Sequence, residues 1–431
     1  METINVGLLG FGTIGTGIVK TLLKQQSLLR SRVGVALELK KIADLDITTP
    51  REVEVDRALL TTDVNEVLND PDIQIVIELI GGYEPAKSFI LQAIRNGKHV
   101  VTANKALLAV HGKEIFEVAS RHNVDIGFEG SVGGGIPIIR SLREGFVANN
   151  FIEIYGILNG TTNYILTEMT EKGESLDAVL QQAQRLGLAE ANPTFDIEGI
   201  DPAHKIIILT YLAFGVHVGM NQILIEGISQ IDARDIKFAG ELGYKIKLLA
   251  IAKQTNHALE VRVHPTMLAA DHLLAKVDGS FNAIYVVGDI VDSNMFYGRG
   301  AGMMPTASAV VGDIVDIARN ILKKISNKVP LIYQSDESSP LTVKACDEFF
   351  SRYYLHFTVL DRPGVLSKIS GVLAEHNISI ASVMQKEIHP VDSVPVVMLT
   401  YKASEREMQQ ALVKIDKLDV VRDKTVLIRV L

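Results

Sequence analysis

Apolar and polar positions change period several times along the chain, and each change marks an element. Residues 4–9 form a short, mainly apolar run, after which Ile14, Ile18, Val19, Leu22 and Leu23 recur at helical spacing. A buried strand, a turn at Gly10-Phe11-Gly12-Thr13-Ile14-Gly15 and a helix are expected. A second strand over 37–43 ends at Asp44, and the β-rich run 72–80 stops at Gly81-Gly82. Next comes a helix with Pro85 in its first turn, Phe89, Ile90, Ala93 and Ile94 as its apolar stripe, and Gly97 at its end. A strand over 98–101 runs into Thr102-Ala103-Asn104-Lys105, followed by a helix over 112–121 and a strand over 124–128. This alternation of strand and helix predicts a Rossmann-type α/β domain, a doubly wound parallel sheet, over residues 1–150.

From Phe151 the pattern changes. A longer strand over 151–158, a turn at Asn159-Gly160 and a helix from Thr161 precede a helix capped by Ser175, with Leu176, Val179, Leu180, Ala183 and Leu186 on its apolar face. Strands are expected over 224–231, 245–252, 259–264, 282–287 and 290–296. They make residues 151–304 an α+β domain with a mixed or antiparallel sheet, whose exposed face is the expected dimerisation surface. Gly298 to Gly302 lead into a helix over 305–322 that is expected to pack on the first domain. Residues 325–350, rich in Ser, Asn and Pro, read as a linker. Over 351–431 the order strand 354–359, helix 363–376, strands 378–385 and 394–401, helix 405–415 and strand 420–430 is the βαββαβ series of a ferredoxin-like unit.

Composition narrows the class. With 431 residues, 47% hydrophobic and 22% charged, the chain is expected to be globular with two to four domains. The longest apolar runs, such as 206–214, fall short of the roughly 20 residues a bilayer needs, so no membrane partner is expected. The N-terminus begins as a strand with no basic segment before it, and a cytoplasmic location is expected. A net charge of −8, with no basic stripe, disfavours nucleic acid and leaves a small charged metabolite as the expected partner. Cys346 has no second cysteine to pair with, and no Cys/His cluster has zinc-site spacing.

The glycine turn carries the first chemistry. Gly10 permits the turn, Gly12 lets the backbone approach a pyrophosphate, and Gly15 lets the helix pack close. Together with Thr13 and Ile14 they offer a helix N-terminus to phosphate. Gly81 and Gly302, each at the end of an element, are further candidate cofactor contacts. Asp44 suits the ribose hydroxyls of NAD, while nearby Lys40, Lys41 and Arg51 suit the 2′-phosphate of NADP, and both cofactors stay open. Lys105 follows a strand's carboxyl end and is expected to point into the cofactor crevice. The run 129–137 exposes backbone groups for a nucleotide, for a monovalent cation, or for a hinge. In 183–205, Glu190, Asp196, Glu198, Asp201 and Lys205 gather among Asn192, Pro193, Gly199 and Pro202. They form either a partly enclosed polar site or a charged surface loop. Asp201 and Pro202 read as N-cap and first residue of a helix, with Lys205 four residues after Asp201.

Ala183, Gly187, Leu188, Ala189, Asn192-Pro193, Asp196-Ile197, Gly199, Asp201 and Lys205 resemble, spacing for spacing, the signature of the homoserine dehydrogenases. GLLGFGTIGTG, TANKALLA and ILNGTTNYIL are similar to segments of the same family, so the likeness spans about residues 1–325. The tail, with Leu360-Asp361-Arg362-Pro363-Gly364-Val365-Leu366, resembles an ACT domain, an amino-acid-sensing module. The resemblance implies reversible interconversion of L-homoserine and L-aspartate 4-semialdehyde with NAD or NADP, on the route to threonine and methionine. It implies Lys205 as acid/base, Lys105 as a second lysine at the reacting centre, and Glu190 as partner of the substrate ammonium. Asp196 and Asp201 would complete the pocket, and Glu129, Val132, Gly134 and Ile136 would supply a Na⁺ or K⁺ site. An amino-acid effector, threonine first, and a homodimer or homotetramer are implied as well. Many relatives carry a basic residue where this chain has Asp44. A non-catalytic dinucleotide and amino-acid sensor, or a related semialdehyde reductase, are the rival readings. Glu198 receives no role and is expected to be solvated.

Overall fold

The computed structural model describes residues 3–331, 341–385 and 393–431. In chain order the first elements are β1 (Thr3–Leu9), α1 (Thr13–Lys24), α2 (Gln26–Val33), β2 (Ala36–Ala43), β3 (Leu60–Thr61), α3 (Asn65–Leu68) and β4 (Ile75–Glu78). There follow α4 (Ala86–Arg95), β5 (His99–Thr102), α5 (Lys105–Arg121), β6 (Ile126–Gly127), α6 (Ile138–Arg140) and β7 (Phe151–Ile157). The middle of the chain holds α7 (Gly160–Lys172), α8 (Leu176–Arg185), α9 (Thr194–Ile197), α10 (Ile200–Phe214), β8 (Leu224–Ile225), α11 (Ala233–Glu241), β9 (Tyr244–Thr255) and β10 (Ala258–Ala269). The remainder is β11 (Phe281–Gly288), β12 (Asp292–Arg299), α12 (Met303–Lys323), β13 (Thr342–Val343), β14 (Phe350–Leu360), α13 (Val365–Glu375), β15 (Ile380–Gln385), β16 (Ser393–Thr400), β17 (Ala403–Ser404), α14 (Glu405–Ile415) and β18 (Val426–Val430).

These elements form two compact units, and neither is continuous in sequence. The first contains Met1–Leu158, His204–Met220 and Phe281–Leu341; the second contains Asn159–Ala203, Asn221–Ser280 and Thr342–Leu431. The chain passes from one to the other inside α10.

The first unit is built on a parallel sheet of order β3-β2-β1-β4-β5-β6, the Rossmann arrangement. Ile75, Val76, Ile77 and Glu78 are all buried, as a strand covered on both faces requires. One apolar face of α12, including Ala307, Val310, Ile314 and Ala318, joins Ile4, Val6, Leu8, Ile18 and Leu22 in a single core. Gly17 permits the approach, because a methyl group there would lie 2.6 Å from Met303 Cγ. An antiparallel ladder β7-β11-β12 belongs to the same unit.

In the second unit β9 and β10 pair antiparallel along their whole length. The other edge of β10 is shared by three short parallel segments: β13 beside Ala258 and Leu259, β8 beside Arg262 and Val263, and β18 beside Thr266 and Met267. Beyond β18 the order is β14, β16, β15. With α13 and α14 this is the expected βαββαβ unit, closed over Tyr353, Leu355, Phe357, Ile369, Leu373, Met408 and Ile415.

Several boundaries differ from the sequence pattern, for local reasons. The helix expected from Gly112 begins at Lys105, because the Asn104 side chain caps it by accepting from Leu107 N at 3.2 Å. α10 starts at Ile200, one residue before the expected cap. Gly199, at φ +79°, makes the turn, and Pro202 sits in the first helical turn, where its missing N–H removes no hydrogen bond. Residues 325–350, expected as a linker, contain β13, while 332–340 lie outside the described residues. Among the described residues no helix is long and apolar enough to cross a membrane.

Candidate active site

At the carboxyl ends of β1, β2 and β4 the first unit opens into a cavity of about 350 Å³, lined mainly by apolar side chains such as Leu9, Leu79, Ile80 and Phe89, with Gly10, Gly12 and Asp44 on its wall. Gly10 has φ +98°, and a methyl group on it would lie 2.9 Å from the Leu79 carbonyl carbon. At Gly15 a methyl would meet Gly10 O at 2.3 Å, so both glycines are fixed by close backbone approach. Gly12 is different, since nothing lies within 4 Å of its absent Cβ and it leaves the N-terminus of α1 without a side-chain cap. Open amides, a helix dipole and room above the turn fit a dinucleotide pyrophosphate. Thr13 is exposed and Ile14 half-buried in that first turn. Gly302, at φ +116°, begins α12 with no side-chain cap either.

Asp44 lies at the end of β2, with its carboxylate turned toward the glycine turn. Phe11 N donates to Oδ2, and Asp46 N donates to Oδ1 at 2.8 Å. The basic residues around it are already engaged. Lys40 pairs with Asp72 at 2.8 Å and Asp70 at 2.9 Å, Lys41 with Glu66 at 2.9 Å, and Arg51 donates to Asp46 O at 3.0 Å. Below the cavity Glu78 is fully buried: it accepts from Ile80 N at 2.8 Å, from Gly81 N at 3.2 Å and from the Thr102 hydroxyl at 2.7 Å. Sequence reasoning missed it, although a glutamate ending an apolar strand was the visible sign.

The loop after β6 is anchored by a carboxyl pair. Glu129 accepts from Ile139 N and Arg140 N, each at 2.9 Å, and its own N–H donates to Asp313 Oδ2 at 2.8 Å. Burial pushes both acids upward. Asp313, enclosed and facing the Glu129 charge, reaches about 8. Each carboxylate oxygen of Glu129 thus accepts from one amide N–H. Gly134, at φ +54°, packs so close that a methyl would lie 2.7 Å from the Gly300 carbonyl carbon. Among the described residues no cluster of three or more His, Cys, Asp or Glu is placed to hold a metal.

The two lysines are both in the first unit. Lys105 is the first residue of α5 and half-buried. Lys205 is only 6% exposed, and its Nζ donates to Leu158 O at 2.6 Å, just past the end of β7. An ammonium so enclosed needs such fixed acceptors.

The carboxylates belong to the second unit. Asn159 caps α7 through Oδ1, which accepts from Thr162 N at 2.8 Å, and its Nδ2 donates to Asp196 Oδ1 at 2.7 Å and Asp201 Oδ2 at 2.8 Å. One amide thereby holds two of the expected site carboxylates together. Asp201 is buried and Asp196 half-buried, but Glu190 is exposed. Glu198, expected to be solvated, is half-buried. The role of Asn159 was not foreseen: Asn-Gly before a helix reads as an ordinary turn. In the βαββαβ unit a cavity of about 380 Å³ is lined by Leu360, Asp361, Arg362, Gly364 and Gln385, among others.

A Rossmann sheet with an uncapped glycine turn, joined in one chain to a ferredoxin-like unit, fits a dinucleotide-binding protein with a separate small domain. The family profile described as "Homoserine dehydrogenase, NAD binding domain" matches residues 10–129, "Homoserine dehydrogenase" matches 137–315 and "ACT domain" matches 353–420. The chain is 44% identical over 430 residues to the homoserine dehydrogenase of Neisseria gonorrhoeae, covering 100% of this chain and 99% of that protein. It resembles the crystal structure of a homoserine dehydrogenase from Thiobacillus denitrificans with a TM-score of 0.92 and 44% identity, over 100% of this chain and 99% of that one. A hyperthermophilic archaeal homoserine dehydrogenase in complex with NADPH is similar at TM-score 0.62 and 27% identity, over 74% of this chain and 98% of that one. The chain belongs to the homoserine dehydrogenases. It interconverts L-homoserine and L-aspartate 4-semialdehyde with a nicotinamide dinucleotide, and its ACT domain binds an amino-acid effector.

Proposed function

We propose that Lys205 is the acid–base residue of this dehydrogenase, that Lys105 stands beside it at the reacting centre, and that Glu190, Asp196 and Asp201 hold the amino-acid substrate. A bound nicotinamide accepts or supplies the hydride. As homoserine is oxidised, hydride leaves its hydroxyl-bearing carbon and the hydroxyl proton passes to the Lys205 amine. In the reverse direction the aldehyde oxygen gathers negative charge and takes a proton from the Lys205 ammonium. Such help contributes roughly 10²–10⁴-fold. The supporting observation is the position of Lys205, buried and tethered to Leu158 O at 2.6 Å. Asp201 precedes it by one helical turn, the spacing that sets two side chains on one helix face. Glu190, on an exposed turn, meets the substrate ammonium.

NAD is the preferred cofactor in this reading. The Asp44 carboxylate borders the cavity, and Lys40, Lys41 and Arg51, which could neutralise a 2′-phosphate, are committed to Asp70, Asp72, Glu66 and Asp46. Gly10, Gly12, Thr13, Ile14, Gly15, Gly81 and Gly302 line its path. Main-chain oxygens of Glu129, Val132, Gly134 and Ile136 hold Na⁺ or K⁺, threonine is the effector, and the enzyme works as a cytoplasmic homodimer or homotetramer. Purified protein with L-homoserine should reduce NAD, and NADP more slowly, read as absorbance of the reduced cofactor from neutral to alkaline pH. Absence of turnover with either cofactor removes the reading, and a faster rate with NADP reverses the cofactor assignment.

A further inference from the structure

We infer that Arg429, on the last strand of the ACT domain, is a positioning residue for the substrate turn that carries Asp196. The inference rests on the reading that Asp196 and Asp201 hold substrate.

Arg429 is 1% exposed, and its guanidinium is bidentate to two carboxylates on opposite sides. Nη1 and Nη2 donate to Glu226 at 2.6 and 2.9 Å, while Nη2 and Nε donate to Glu405 at 2.5 and 3.0 Å. Glu405 is ACT material, at the first turn of α14, and also accepts from the Tyr353 hydroxyl at 2.8 Å. Glu226 is not: it follows β8, and its N–H donates to Val263 O on β10 at 2.8 Å. The next two residues touch the substrate turn directly. Ile228 N donates to Ile197 O at 2.7 Å, and at Gly227 a methyl group would lie 2.0 Å from Ile197 O and 2.4 Å from Glu198 Cα. Ile197 ends α9, one residue after Asp196. Arg429, Glu226, Gly227–Ile228 and Ile197 therefore form an unbroken chain of contacts inside the second unit, from the ACT strand to an Asn159-bound carboxylate.

Each contact has little freedom. A planar fork clamped by two carboxylates allows small movement, and a glycine already at contact distance cannot approach further. Displacement of β18 should move α9. Because Arg429 sits opposite Tyr353 on β14, the strand that ends at the cavity of the βαββαβ unit, a shift caused by a ligand bound there has a route to the substrate turn.

The test separates KM from kcat. Glu226→Gln breaks the ion pair at its half-exposed member and leaves Arg429 bound to Glu405, so it is expected to fold. Homoserine KM should rise about tenfold, with cofactor KM within twofold to threefold of wild type, and amide exchange at Ile228 should quicken. Arg429→Met should do the same, and the double variant should be no worse than the more impaired single variant. An unchanged homoserine KM in Glu226→Gln, or an equal rise in cofactor KM, overturns the inference. Asp196→Asn is measured alongside. If it raises homoserine KM while Glu226→Gln does not, only the role of Arg429 fails; if neither raises it, the substrate turn itself is misassigned.

Discussion

Lys205 donates to Leu158 O, and the next residue, Asn159, donates through its amide to Asp196 and Asp201. Lys205→Ala should lower kcat roughly 10²–10⁴-fold while cofactor binding, measured by fluorescence titration, stays near wild type. Glu190→Ala should act mainly on homoserine KM. Asn159 has two jobs, which a single substitution can separate. Asn159→Ser keeps an oxygen to cap α7 but loses the donor shared by Asp196 and Asp201, so homoserine KM should rise with little change in melting temperature. Asn159→Ala should add a loss of about 1 kcal/mol from the missing cap. A serine variant with wild-type KM would confine Asn159 to capping. The sequence singles out Lys205 because it ends a long spaced signature, and the structure shows it buried and bonded to Leu158 O. Asn159 was not legible in the sequence, because its second job depends on partners 37 and 42 residues away, and no local pattern records such contacts.

Helices with a clear apolar stripe and a cap were legible to within a few residues, α4, α12 and α14 among them. α2 was not, since its Ser and Arg-rich sequence has no strong apolar face and it ends only at Gly34. Strand lengths were poorly legible because a ladder's extent is set by its neighbour: β8, expected over 224–231, is two residues long where it meets β10. β10 itself was expected to end at His264, yet it continues to Ala269 because β9 supplies partners throughout. His264 is wholly enclosed on that strand. Burial first, and then the charges of Arg429 and Arg262, hold its imidazole well below the usual histidine range. The folded chain thus refuses a proton that the unfolded chain accepts below about pH 6.5, so stability is present above that pH and falls as pH drops through it. Asp313, protonated in the folded chain up to about 8, tilts stability the opposite way over the same range, so the His264 contribution is read as a difference. Urea-derived stability of wild type relative to His264→Gln should fall by up to about 1.4 kcal/mol per pH unit as pH drops below about 6.5, and a pH-independent difference would remove His264 as the cause.

At the scale of the molecule, the order of domains was legible, but the interleaving of the two units was not. Nothing in the sequence marks that the chain changes unit within α10. The consequence for regulation is practical. Removing everything after about residue 330 would take away β13 and β18, two of the three segments on the edge of β10, together with the Arg429 partner of Glu226. A truncated enzyme that lost threonine response would therefore report a damaged sheet as readily as a missing effector site. A substitution within the cavity of the βαββαβ unit is cleaner. Asp361→Ala should raise the threonine concentration for half-inhibition by roughly tenfold or more, and unchanged inhibition would place the effector elsewhere.

The pairing of Thr266 with Arg429 also sets a clock on synthesis. The partners are 429 − 266 = 163 residues apart, so at roughly 5–20 residues per second β10 emerges from the ribosome about 8–33 s before β18 does. Through that interval part of its edge has backbone groups without their final partner, the kind of strand that invites pairing with another chain. Until β18 is made, each nascent copy of this enzyme therefore carries a stretch of strand edge on which a neighbouring chain can pair.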